Sequence, residues 1–348
     1  MRAFQLSKWG QPGQYVDVPK PVPGRGEVLV KMKAVGLCRS DLDMVDSKPG
    51  SDPYASAIPD SYILGHENTG VVEELGDGVV DLAVGEGVAV HHMRHCGICS
   101  FCMAGVEQHC EAYKRGAIGM TRGCGFDGGL AEYLSVPRHE LVSIGHHDPV
   151  LFAPLTDAGV TAYHAVSSFI TRVKPSSTAA VIGIGGLGAY GIQFLKILSA
   201  AKIFAFDRSD RCLDLAKELG ADEAIYSDET TAAKVMDITH GRGIDFIVDF
   251  VGTNQTLALA AKISRPQGRI VVVGMEGGTV KLGWNQMATS CEFALSLGST
   301  RQDLEDVCSL AAAGKLRIDM QKFSFDQIPE AYDLLRNGKL TARAVIVL

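Results

Sequence analysis

The 348-residue chain is 46% hydrophobic and 21% charged, the balance of an ordinary globular protein large enough for two domains. Its net charge of −7 argues against nucleic acid or an anionic membrane as the main partner. Nine cysteines, behind an N-terminus (Met1–Lys8) with no apolar signal core, point to a reducing, cytoplasmic compartment where thiols are ligands or reactive groups rather than disulfides.

Residues 1–156 read as β-rich. Short apolar or alternating runs at 27–35, 69–75 and 87–90 are separated by Gly, Pro and Asp turns, the pattern of a barrel-like domain. Cys38-Arg39-Ser40-Asp41 follows the first run and Gly36. Taken alone, Cys38 reads equally as a small buried hydrophobe or a ligand. His66, in Gly65-His66-Glu67-Asn68-Thr69-Gly70, is by itself more often a hydrogen-bonded histidine than a ligand. Cys96, Cys99, Cys102 and Cys110 form a tighter set, because four cysteines at this spacing can wrap one tetrahedral Zn²⁺. Such a closed site pins a lobe and does no chemistry. His91, His92 and His95 lie beside it and read as surface residues. Asp157 reads first as the cap of a following helix.

From about 178 the rhythm changes. The apolar stretch 179–182 reads as a buried strand, and 189–198 as a helix. Between them stands Gly183-Ile184-Gly185-Gly186-Leu187-Gly188, the pattern of a dinucleotide-binding turn. Its glycines serve the tight turn, the close approach of a pyrophosphate, and helix–strand packing; the helix start offers free N–H groups. Strands at 203–206, 246–250 and 269–273 alternate with helices at 211–219, 231–239 and 256–263, which predicts a parallel sheet covered on both faces. Asp207 ends the second strand, where a carboxylate favours the ribose of NAD over the 2′-phosphate of NADP, although Arg208 beside it pulls the other way. A helix at 303–313 and a closing strand at 344–348 are expected to return to the β-rich part. The expected domains are therefore 1–156 with 298–348, and 157–297. No apolar stretch reads as a membrane span, since the run 179–195 is broken by glycines.

The order of these motifs over essentially the whole chain resembles the zinc-dependent medium-chain alcohol dehydrogenases. It is most similar to bacterial NAD-dependent members with Asp as third catalytic ligand. The resemblance implies a GroES-like catalytic domain and a Rossmann domain, with two zinc ions per chain. One is structural, on the four cysteines. The other is catalytic, on Cys38, His66 and Asp157, with its fourth position left for water or alcohol. It further implies that Asp41 orients His66, that Glu67 lies behind the metal, and that Ser40 is the first proton carrier. Asp43 stands where several relatives have a relay histidine. By the same resemblance Arg39 and Arg343 meet the pyrophosphate. Val273, Met275, Thr161 and the backbone at Gly298-Ser299 surround the nicotinamide. Tyr54, Trp284, Leu297 and the neighbourhood of Met120 line the substrate pocket. The implied reaction is reversible hydride transfer, in a cleft between the domains, from a primary or secondary alcohol to NAD, giving aldehyde or ketone. The implied assembly is a homotetramer or homodimer.

Overall fold

A computed structural model describes residues 1–46, 59, 61–115, 118, 119 and 121–348. The chain forms two units, Met1–Val160 with Gly298–Leu348, and Thr161–Leu297. The first break comes four residues beyond the expected 156/157, so Asp157 belongs to the same unit as Cys38 and His66.

The first unit is built on one long strand, Glu27–Gly36. Its sequence alternates little because both faces are covered, and Val28, Leu29, Val30, Ala34 and Val35 are fully buried. The strand pairs antiparallel with Glu67–Leu75, Tyr133–Pro137 and Arg343–Val347. Gly87–Val90 and Leu141–Gly145 extend the sheet on one side, and Met320–Ser324 lies beyond Arg343–Val347 on the other. The C-terminal strand thus does return to the β-rich part. Register decides what meets at the end of this sheet. Gly36 is paired with Glu67 on one side and Val345 on the other. Cys38, His66 and Arg343 stand within two residues of those pairs and are brought to one place although they are far apart in sequence.

The second unit is a doubly wound parallel sheet of the Rossmann kind. Its strands run in the order Glu223–Tyr226, Lys202–Asp207, Thr178–Ile182, Ile244–Asp249, Ser264–Val272, Glu292–Leu295. The central strands are apolar throughout, with Ile182, Phe204, Phe206, Ile247 and Ile270 buried against the covering helices. Helices Gly188–Leu198, Asp210–Glu218, Thr231–Ile238 and Asn254–Ile263 lie within two residues of the positions read from the sequence. No helix among the described residues is long and apolar enough to cross a membrane.

Candidate metal and dinucleotide sites

Cys38, His66, Glu67 and Asp157 converge at the end of the first unit's sheet, each offering a donor atom within 4.8 Å of the others. The local sequence explains the fit. Gly36 must lack a side chain, because a Cβ there would collide with the Glu67 carboxylate. Gly65 has φ +93°, a left-handed turn that lets the chain deliver His66 inward without the strain a larger residue would carry. Cys38 Sγ is buried, 3.5 Å from Ser40 Oγ.

Three carboxylates surround His66, each with a different task. Asp41 accepts the Cys38 N–H (3.0 Å) and lies 3.0 Å from His66 Nδ1, off the ideal hydrogen-bond line, which fixes the ring's orientation. Asp157 Oδ2 faces the other ring nitrogen at 3.3 Å. Glu67, fully buried, is clamped by Arg343, whose Nε donates to Oε2 at 3.1 Å while Nη2 bonds Oε1. Arg343 Nη2 also lies 3.6 Å from Asp157 Oδ2.

The charges of the cluster are strongly interdependent. Burial works against charge on His66, yet Asp41 and Asp157 outweigh it and hold the imidazole proton well above the usual histidine range. Burial likewise opposes charge on Asp157, but His66, His92 and Arg343 keep its carboxyl well below the usual range. Burial pushes Glu67 up to about 7 against the pull of Arg343. Thiolate, imidazole and carboxylate are all zinc donors, and a dication with Cys38, His66 and Asp157 is formally neutral. Glu67 is committed to the Arg343 guanidinium, which makes Cys38, His66 and Asp157 the candidate donor set for a metal.

The other cysteine cluster meets a sharper geometric test. Its sulfurs are 3.4 Å (Cys99–Cys102) and 3.9 Å (Cys96–Cys102 and Cys99–Cys110) apart. A tetrahedron of Zn–S bonds of about 2.3 Å has edges of about 3.8 Å. No disulfide joins them. Backbone N–H groups of Cys102 and Glu111 pull Cys99 down to about 6, whereas burial pushes Cys102 up to about 12. Deprotonated together, four sulfurs this close would need a shared cation.

The neighbouring histidines correct the sequence reading. His91, His92 and His95 are not surface residues but are buried, at 0%, 4% and 6% exposure. The reason is that Gly87–Val90 feeds inward: His91 N–H continues the ladder to Glu140 O at 2.8 Å. His91 Nε2 meets Ser299 O and Oγ, at 3.1 and 3.3 Å. Burial, then His92 and His95, holds His91 well below the usual range, and burial also lowers His92. His92 Nδ1 is 2.8 Å from Thr156 O, and its Nε2 is 4.0 Å from Asp157 Oδ1. The overlooked signal is that these histidines directly extend a fully buried strand.

In the second unit, Gly183 has φ +84°, and a Cβ on Gly188 would strike the Gly183 carbonyl. Gly185 and Gly186 are exposed, with Leu187 half-buried, at the start of the 11-residue helix Gly188–Leu198, whose dipole presents its positive end there. Asp207 has a role that was not foreseen. Its Oδ2 accepts the Ile184 N–H at 2.7 Å and its Oδ1 the Ser209 N–H at 3.0 Å, so the carboxylate braces the glycine turn. Arg208 beside it is exposed. Val273 is half-buried and Met275 exposed past the strand Ser264–Val272. Thr161 is buried, Arg39 is exposed, and Gly298 is half-buried with φ +51°. Trp284 is exposed and Leu297 half-buried, whereas Tyr54 and Met120 lie outside the described residues.

Comparison with known proteins bears on both sites. Residues 24–146 match the model of the alcohol dehydrogenase GroES-like domain, and residues 186–313 that of zinc-binding dehydrogenases. The chain is 34% identical to an NAD-dependent alcohol dehydrogenase of Sulfurisphaera tokodaii, with 100% of both covered. It is 32% identical to an alcohol dehydrogenase of Geobacillus stearothermophilus, with 99% of each covered. Among solved structures it is similar to the alcohol dehydrogenase of Aeropyrum pernix, at TM-score 0.90 and 31% identity over 100% of both chains.

Proposed function

The chain belongs to the zinc-dependent medium-chain alcohol dehydrogenases, and we propose that it interconverts a primary or secondary alcohol and its aldehyde or ketone with NAD, using a zinc ion held by Cys38, His66 and Asp157. The observation that carries this reading is the convergence of those donors beside Asp41 and the Arg343–Glu67 pair.

When bound, the zinc would act as a Lewis acid on the alcohol oxygen while the nicotinamide takes the hydride. The chain's own residues do the rest. Asp41 holds the ring of His66 so that Nε2 faces inward. Arg343 neutralises Glu67 and leaves Asp157 as the donor carboxylate. Ser40, 3.5 Å from Cys38 Sγ, is placed to take up the hydroxyl proton and pass it outward, where exposed Asp43 stands one turn along the helix Arg39–Asp46. The glycine turn from Gly183 to Gly188 receives the pyrophosphate, and Asp207 the adenosine ribose. Arg39, Val273, Met275, Thr161 and Gly298 complete the cofactor contacts in this reading. Cys96, Cys99, Cys102 and Cys110 hold the second zinc.

One assay tests the whole. Metal analysis should give two zinc ions per chain, and a panel of short alcohols should drive formation of reduced nicotinamide, with NAD⁺ giving the higher kcat/KM than NADP⁺. One zinc and no turnover with any alcohol would remove the enzymatic reading; a preference for NADP⁺ would remove the assignment of Asp207 alone.

The same reading includes self-association, as a homotetramer or homodimer. Among the described residues the strand Glu292–Leu295 is paired on one side only, and Leu282, Trp284 and Leu295 are exposed at 65%, 87% and 80%. An open edge flanked by large apolar side chains suits a second copy of the same edge. Light scattering should return two or four times the 37.1 kDa chain mass, and a monomer would contradict it.

A further inference from the structure

A further group of metal-type donors lies outside both clusters described above. His95, His139 and Glu140 each offer one donor atom, and these atoms lie within 4.8 Å of one another. The sheet brings them together. His95 follows the strand Gly87–Val90, whereas His139 and Glu140 sit on the short turn Arg138–Glu140 that enters its partner strand Leu141–Gly145. The two rings stand edge to face, with centroids 4.7 Å apart. His95 Nδ1 is 3.1 Å from Met93 O, and His139 Nε2 is 3.0 Å from His95 O. A carbonyl oxygen only accepts, so in the neutral rings those nitrogens carry the protons, and His95 Nε2 and His139 Nδ1 keep lone pairs. Glu140 is fully buried, and Arg122 takes only one of its oxygens: Nε donates to Oε2 at 2.8 Å, with Nη2 2.7 Å from the same atom. Among the described residues Oε1 has no hydrogen-bond partner. Arg94 Nε stands 3.9 Å from it, beyond hydrogen-bond range, with its guanidinium over the rings of Phe126 and Tyr113. Glu140 differs in this from Glu67, both of whose oxygens are taken by Arg343.

We infer that His95, His139 and Glu140 form an additional, exchangeable site for a divalent transition-metal ion of the zinc type. Two imidazoles and a carboxylate are a sufficient set of protein donors for zinc with one open position. Nitrogen donors favour such an ion over Mg²⁺ or Ca²⁺, which take oxygen ligands. A buried carboxylate oxygen without a donor is unfavourable, and a cation beside it removes that cost. The ion has a way in, because His95 and His139 line an open cavity of about 540 Å³ together with Cys102, Glu107, Arg138 and Arg301. The two arginines there are met by Asp81 and Glu305. Arg122 and Arg94 already share the charge of Glu140, so the ion is held less firmly than those of the other clusters, and desalting removes it. Once bound, it ties His95, at the base of the four-cysteine lobe, to the turn Arg138–Glu140.

The test is a calorimetric titration of Zn²⁺ into desalted protein whose retained zinc has first been counted, using the native chain, His139→Ala and His139→Cys. His139 is exposed, so its replacement leaves the buried packing alone, and an unchanged retained-zinc count checks that each variant is folded. The native chain should take up one further Zn²⁺ per chain, and Mg²⁺ in its place should give no binding. His139→Ala should weaken that uptake about tenfold or more, the loss seen even when a group behind a metal ligand is removed. His139→Cys, whose thiolate is again a zinc donor, should restore it. A native chain that takes up no further ion at millimolar Zn²⁺ overturns the inference. So does equal affinity in the native chain and His139→Ala, which would place the ion elsewhere, or Mg²⁺ uptake as strong as that of Zn²⁺.

Discussion

Alanine at Asp157 should leave one zinc ion per chain in place of two and cut alcohol-dependent NADH formation by about a thousandfold or more. The argument is one of donor count and charge. Without Asp157, only Cys38 and His66 remain as donors in the convergent set, because Glu67 is clamped by Arg343. Two protein donors do not make a catalytic zinc site, which takes three. The metal supplies several kcal/mol of charge stabilisation in the transition state, and about 4 kcal/mol corresponds to about a thousandfold in rate. Asp157→Cys separates ligation from packing, since a thiolate restores the third donor; zinc stoichiometry and part of the activity should return together. Two zinc ions in Asp157→Ala, or native kcat/KM, would show that the carboxylate is not a ligand.

Much of this arrangement is legible in the sequence because it is local. The glycine turn, the strand before it and the helix after it are contiguous, and the phosphate-binding pattern is read within one stretch. The cysteines of the lobe fall within fifteen residues, so spacing alone constrains them. The alternation of strand and helix after 178 makes the Rossmann sheet a direct reading of period and length. What is not legible depends on register. Nothing near Glu67 announces that its charge is met by Arg343, 276 residues away. That pairing exists because Gly36 is flanked by both strands at once. His91 and His92 were misread for a related reason: polarity beside a metal lobe suggests solvent, but the preceding strand is buried along its whole length and carries them inward. The brace from Asp207 to Ile184 likewise needs two strand ends to be adjacent, which the chain alone does not state.

The four-cysteine lobe should give the mirror image of the Asp157 result: Cys99→Ser should also bring zinc from two ions to one, but the ion retained should be the catalytic one. The tip of the lobe has little else to hold it, although Glu107, Gln108 and Cys110 behind it are buried. Its helix Ser100–Met103 is four residues long and buries no side chain, and Ile98 and Met103 are exposed at 83% and 75%. Below about twelve residues an isolated helix is marginal in water, so the hydrogen bonds Met103 N–H to Cys99 O, Ala104 N–H to Ser100 O and Val106 N–H to Phe101 O persist only while something fixes the turn. A metal at a hundred times its dissociation constant contributes about 2.7 kcal/mol to the closed form. Amide exchange at Met103, Ala104 and Val106 should therefore speed up by about a hundredfold in Cys99→Ser, while amides in Thr178–Ile182 stay protected. The opening should also loosen a tether on the helix Arg301–Ala312, because Arg301 N–H bonds Glu107 Oε1 at the lobe's edge, while the bond of Arg301 Nη2 to Leu141 O in the sheet, at 3.2 Å, should remain. Unchanged exchange at those three amides, with one zinc lost, would mean that the lobe is held by its neighbours and that its metal is dispensable for the fold.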